Sequence, residues 1–93
     1  MNMTNINKTT SFNKEAFKQT IKKLIAANGG ISKFMDILED KALSFGYEFN
    51  TEQILPSEGE IREYTSRRTP RIDFLLLLAY AFDKDVDLDS FLS

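Results

Sequence analysis

The sequence predicts one all-α domain. Three observations carry that expectation. Apolar residues recur at three- and four-residue steps in five separate stretches. Ser, Thr, Asn or Asp stands before most of these stretches, and Gly or Pro follows several of them. No stretch makes a convincing strand, and no internal repeat is present. Ninety-three residues with 42% apolar composition suffice for one small core. The opening "MNMTNINKTT", residues 1–10, lacks apolar periodicity and reads as a flexible N-terminal arm, leaving residues 11–93 for the folded domain.

The first helix is expected in "SFNKEAFKQTIKKLIAANGG". Ser11 or Asn13 caps it, Phe17, Ile21, Leu24 and Ile25 form its inner stripe, and Asn28, Gly29 and Gly30 stop it. Lys14, Lys18 and Lys22 fall on the opposite stripe, where a solvated face is the expected role. The second helix follows in "ISKFMDILEDKALSFG", with Ile31, Phe34, Met35, Leu38 and Ala42 on one side and an end near Gly46. Asp36, Glu39 and Asp40 read as its solvated face. In "YEFNTEQILP", Asn50 or Thr51 is expected to open a short helical turn that Pro56 ends.

The third helix opens on the capping box "SEGE", Ser57 to Glu60, with Ile61 and Tyr64 facing inward. After the turn "TSRR", a fourth helix is expected with Thr69 as cap and Pro70 at its first position. Ile72, Leu75, Leu76, Ala79 and Phe82 recur at helical steps, and Phe74, Leu77 and Leu78 make this helix apolar nearly all round, hence central. "DVDLDSFLS" completes the set as a short fifth helix capped by Asp85 or Asp87.

Composition narrows function by exclusion. The chain has no Cys and no His, so disulfides, zinc sites of the usual kind, thiol nucleophiles and the commonest general base are all missing. No enzymatic activity, cofactor or metal is expected. Asp83, Asp85 and Asp87 have the alternation of a calcium loop, but Leu88 replaces its required Gly and the bidentate Glu does not follow. The apolar run from Phe74 is far shorter than the roughly eighteen residues of a membrane span, and the N-terminus lacks an export pattern. With no Cys, this reads as a cytoplasmic protein without membrane contact.

All four arginines, Arg62, Arg67, Arg68 and Arg71, lie in the ten residues "REYTSRRTPR" of a chain whose net charge is −2. Such clustering points to anion contact, phosphate above all, at a helix corner. Pairing of Arg62 with Glu58 along the helix and of Arg71 with Asp73 or the acidic C-terminus, in a turn that is simply soluble, is the plainer alternative.

The string "PSEGEIREYTSRRTPRIDFLLLLAYAFDKDVDLDSFL" resembles the second half of the Cro and phage-repressor family of helix-turn-helix proteins, and "NGGISKFMDIL" looks like the entry to that family's second helix. The resemblance implies a five-helix, lambda-repressor-like domain and a sequence-specific transcriptional regulator of a phage, mobile element or bacterium. It would bind double-stranded DNA, commonly as a homodimer. It places base reading on the helix starting at Ser57, through Glu58, Gly59, Glu60 and Glu63, and phosphate contact on Arg62, Arg67, Arg68 and Arg71. Phe91 and Leu92 would supply a dimer contact or close the core. Two departures stand out. Residues 39–56 form an insertion between the two helices of the motif, and the reading positions are acidic, opposing phosphate of like charge. The alternative is a protein-binding module on the same scaffold, an antitoxin, antirepressor or inhibitor whose glutamates face a basic partner. "DKALSFGYEFNTEQI" is also similar to a segment of nitrogenase-associated leader peptides, without their cleavage site or cysteine-rich core, and is read as a shared helix-turn-helix pattern.

Overall fold

A computed structural model describes residues 12–52 and 54–92. Among them are four α-helices, α1 (Lys14–Ala27), α2 (Ile31–Glu48), α3 (Glu58–Tyr64) and α4 (Ile72–Ala81), followed by a 3-10 helix, Leu88–Leu92, and no strand. The all-helical expectation therefore stands, but the fifth element is a 3-10 turn and not an α-helix. The expected arm, and Ser11 as a cap, lie outside the described residues.

Local chemistry explains most boundaries. Asn13 starts α1: its side-chain oxygen accepts from the Ala16 amide at 3.0 Å. Its own amide donates to the Phe91 carbonyl at 2.6 Å, fastening the start of the domain to its last turn. Gly29 (φ +89°) and Gly30 (φ +107°) make the corner into α2, a backbone that side chains with a Cβ rarely adopt. Helix α2 then runs two residues past Gly46, to Glu48, and stops where Asn50 takes φ +51°. The short helix expected at Asn50 or Thr51 is absent among the described residues. Asn50 instead serves as the left-handed stop of α2, and the Thr51 amide closes onto the Gly46 carbonyl at 3.0 Å.

Ser57 caps α3 as expected, with both arms of the capping box formed: the Glu60 amide to Ser57 Oγ at 3.2 Å and the Ser57 amide to Glu60 Oε1 at 3.1 Å. Helix α4 departs from expectation. Thr69 does not cap it and Pro70 is not its first residue; it begins at Ile72 with Arg71 as a cap residue that makes no side-chain cap bond. Pro70 is buried outside the helix.

The core gathers Phe17, Ile21 and Leu24 of α1, Phe34, Leu38 and Ala42 of α2, Ile61 and Tyr64 of α3, and Phe74, Leu77 and Leu78 of α4. Aromatic contacts tie the elements together. Phe74 stacks on Tyr64 with centroids 4.8 Å apart, Phe34 stacks on Phe82 at 5.5 Å, and Phe17 meets Phe91 edge-on at 5.6 Å. Phe91 is 1% exposed, so it closes the core and is not a free dimer contact, whereas Leu92 is exposed. Ile72 and Leu76, expected inside, are 71% and 47% exposed. A helix apolar on every side is buried on every side only if neighbours surround it, and here one flank of α4 is left open.

Candidate interaction surfaces

The arginine corner is built by α3 and the turn after it. The turn folds back on α3: the amides of Arg67 and Arg68 donate to the Glu63 carbonyl at 2.9 and 3.0 Å, and Thr65 Oγ1 and Ser66 Oγ cap the carbonyls of Arg62 and Glu63. This places the guanidinium groups against the carboxylates of α3. Arg62 donates to Glu58 at 2.9 Å along the helix, and Arg68 to Glu63 at 2.9 Å, with Glu60 at 3.5 Å. Arg68 also lies over the Tyr64 ring, 5.7 Å from its centroid. Arg71 faces Asp73 at 3.5 Å. Arg67 forms no ion pair among the described residues.

Each residue expected to touch DNA is thus accounted for. Ser57 and Glu60 are engaged in the cap; Glu58, Glu60 and Glu63 neutralise Arg62 and Arg68; Gly59 is exposed on the first turn of α3. Three guanidinium groups, those of Arg62, Arg68 and Arg71, face four carboxylates, Glu58, Glu60, Glu63 and Asp73, and with Arg67 counted the corner has no formal net charge. The plain pairing of Arg62 with Glu58 is present, and of the two partners expected for Arg71 it is Asp73 that it meets. Pairs this exposed contribute about 0–1 kcal/mol to stability. Their larger effect is on recognition, because a phosphate must compete with a carboxylate already in place.

The sequence reading missed what lies beside this corner. Lys14 and Lys18 of α1 join Arg67, Arg68, Ser66 and Tyr64 around a groove of about 280 Å³, while Lys22 borders Arg62 and Thr65 farther along the same helix. The lysine stripe, taken as a solvated face, therefore continues the cationic side chains of the arginine corner. Glu15 lies within it, bonded to Gln19 and 3.5 Å from Lys18, contacts that lower its carboxyl pKa in that order. Only the packing of α1 against α3 brings this edge together, so no local signal could have revealed it.

A second surface was also missed. The end of α2, the segment after it and the open flank of α4 enclose a groove of about 540 Å³ whose floor is Phe45, Phe49, Ile54, Leu76, Ala79 and Tyr80. Phe45, Phe49 and Tyr80 pack on one another with centroids 4.9–6.0 Å apart. Phe49 is 56% exposed and Leu76 47%, and Ile72 continues the apolar line along α4 at four-residue spacing. The Tyr80 hydroxyl donates to Glu48 at 3.0 Å, which raises the phenol pKa chiefly because the bond holds the proton. The signal for this surface was in the sequence: α4 is apolar all round, and "YEFNTEQILP" adds aromatic and aliphatic residues that one small core has no room for.

Among the described residues, no His, Cys, Asp or Glu group is arranged to hold a metal ion, and no helix is long and apolar enough to cross a membrane. No protein-family model, curated protein or solved structure matches this chain.

Proposed function

We propose that this chain is a protein-binding module on a helix-turn-helix-like scaffold, acting by docking and not by catalysis. The observation that carries this reading is the open apolar groove between α2 and α4, where large side chains are held in contact with one another and left unsealed. Exposing Phe49, Leu76 and Ile72 together costs hydration free energy that a covering surface would recover. The neutral arginine corner supports the same reading, since α3 and the turn after it together offer DNA no excess of cations, which counterion release needs. The Cro/phage-repressor resemblance is kept as the frame: a glycine corner, a second helix, a capped short helix, a basic turn and an apolar helix follow in that order. The insertion 39–56 is then the functional addition, because it supplies Phe45, Phe49 and Ile54 to the groove.

A photo-crosslinking residue at position 76, set against one at position 67, tests this in the cells that express the protein. The expected result is one discrete, nuclease-resistant protein adduct from position 76. Nucleic-acid adducts from position 67, with none of any kind from position 76, would overturn it.

Sequence-specific DNA binding, with or without homodimer formation, is the second reading, favoured by the edge formed by Lys14, Lys18 and Arg67. It requires that Lys14→Ala, Lys18→Ala and Arg67→Ala each weaken binding to a random duplex. Each should also reduce the salt dependence by about one phosphate contact.

A further inference from the structure

We infer that the α2–α4 groove takes a basic amphipathic segment of a partner protein, one whose apolar side chains enter beside Leu76 between two cationic side chains. The inference rests on the reading of this groove as a docking surface and adds the chemistry of what docks. Its basis is the charge around the groove. The floor is apolar, and Asp73 is the one charged residue in the lining among the described residues. Its Oδ1 atom is buried without a hydrogen bond, and the nearest cation, Arg71 Nε, is 3.5 Å away. The Asp73 side chain remains 36% exposed, so part of this carboxylate still faces outward. The second carboxylate, Glu48, is held at the border by Tyr80.

Asp73 and Tyr80 are seven residues apart on α4, which is about 10 Å along the helix axis, with Leu76 between them. A helical partner carrying cations seven residues apart and apolar residues three or four positions in from each would match both carboxylates and the floor. A second copy of this chain fits less well. A two-fold contact across this face would set the carboxylates Asp73 and Glu48 of one copy against those of the other, with no cation in the groove lining among the described residues to separate them.

A displayed library of random sixteen-residue peptides, panned on the full chain and counter-selected on Leu76→Asp, tests the inference without assuming a ligand. Position 76 is half exposed, so the variant should keep its fold, which circular dichroism and a denaturation curve would verify. The expected binders are net basic with helical apolar spacing, and they lose roughly tenfold in affinity on the double variant Glu48→Gln, Asp73→Asn. Leu76-dependent binders that are neutral or acidic, or that ignore the double variant, would overturn the inference while leaving the groove as a docking site. Binders that never depend on Leu76 would overturn both. Self-association of the free chain in sedimentation, abolished by Leu76→Asp, would overturn the inference in favour of a second copy.

Discussion

Ser57 and Glu60 each satisfy one backbone amide of the other, so α3, only seven residues long, begins without an unpaired donor at either position. Ser57→Ala removes one arm of that exchange and is expected to cost about 1 kcal/mol, read as a lower denaturant midpoint with an unchanged slope. Two phenols report on their surroundings. Burial, against an opposing influence from Arg68, pushes the Tyr64 pKa up, and the bond to Glu48 does so for Tyr80. For each, the folded state holds its proton more tightly than the unfolded chain. The associated stability is therefore complete below the ordinary tyrosine pKa and is lost as pH rises through the raised one. Phenolate absorbance in the folded protein should show both groups ionising later than free tyrosine, and Glu48→Gln should bring Tyr80 back toward the ordinary value. At this scale the sequence was legible: Asn13 and Ser57 cap the helices they were expected to cap. The pairings of Arg62 and Arg71 were legible as well, because each partner lies within four residues.

Helix α4 shows where element-level reading stops. Its residues 74–78 are apolar without interruption, so periodicity could not say which face turns inward. Packing decides it: Phe74, Leu75, Leu77 and Leu78 are buried, and Leu76 between them is not. Leu77→Ala should therefore cost about 2–5 kcal/mol through a cavity, and Leu76→Ala much less, in paired denaturation curves. The missed start of α4 has a similar cause. Pro at the first helical position is a statistical preference, and burial of Pro70 outside the helix outweighed it. Asn50 offers a third test. Its left-handed backbone should accept Gly and reject Val, with Asn50→Val losing about 1–2 kcal/mol while the α2 tail frays. Asn50 was taken for a helix start because Asn suits both ends of a helix, and only the direction of the chain beyond it distinguishes them.

Across the whole molecule, two surfaces arise from helices far apart in sequence; the surplus of apolar residues behind the groove was visible in the sequence, but the assembly of either surface was not. The cationic edge needs α1 beside α3; the apolar groove needs residues 45–54 beside α4. Residue patterns reveal which side chains leave the core only when the core is already known, and among the described residues fourteen buried apolar side chains fill this one before Phe49, Ile72 and Leu76 are reached. The charge balance at α3 directs attention away from the corner that the sequence singled out and toward the groove. Amide chemical shifts of the labelled protein, followed as a peptide selected on it is added, test that assignment most directly. The account predicts shifts concentrated in residues 45–54 and 72–80, with residues 57–71 unchanged. Shifts concentrated at Arg62, Arg67 and Arg68, with the groove silent, would contradict it.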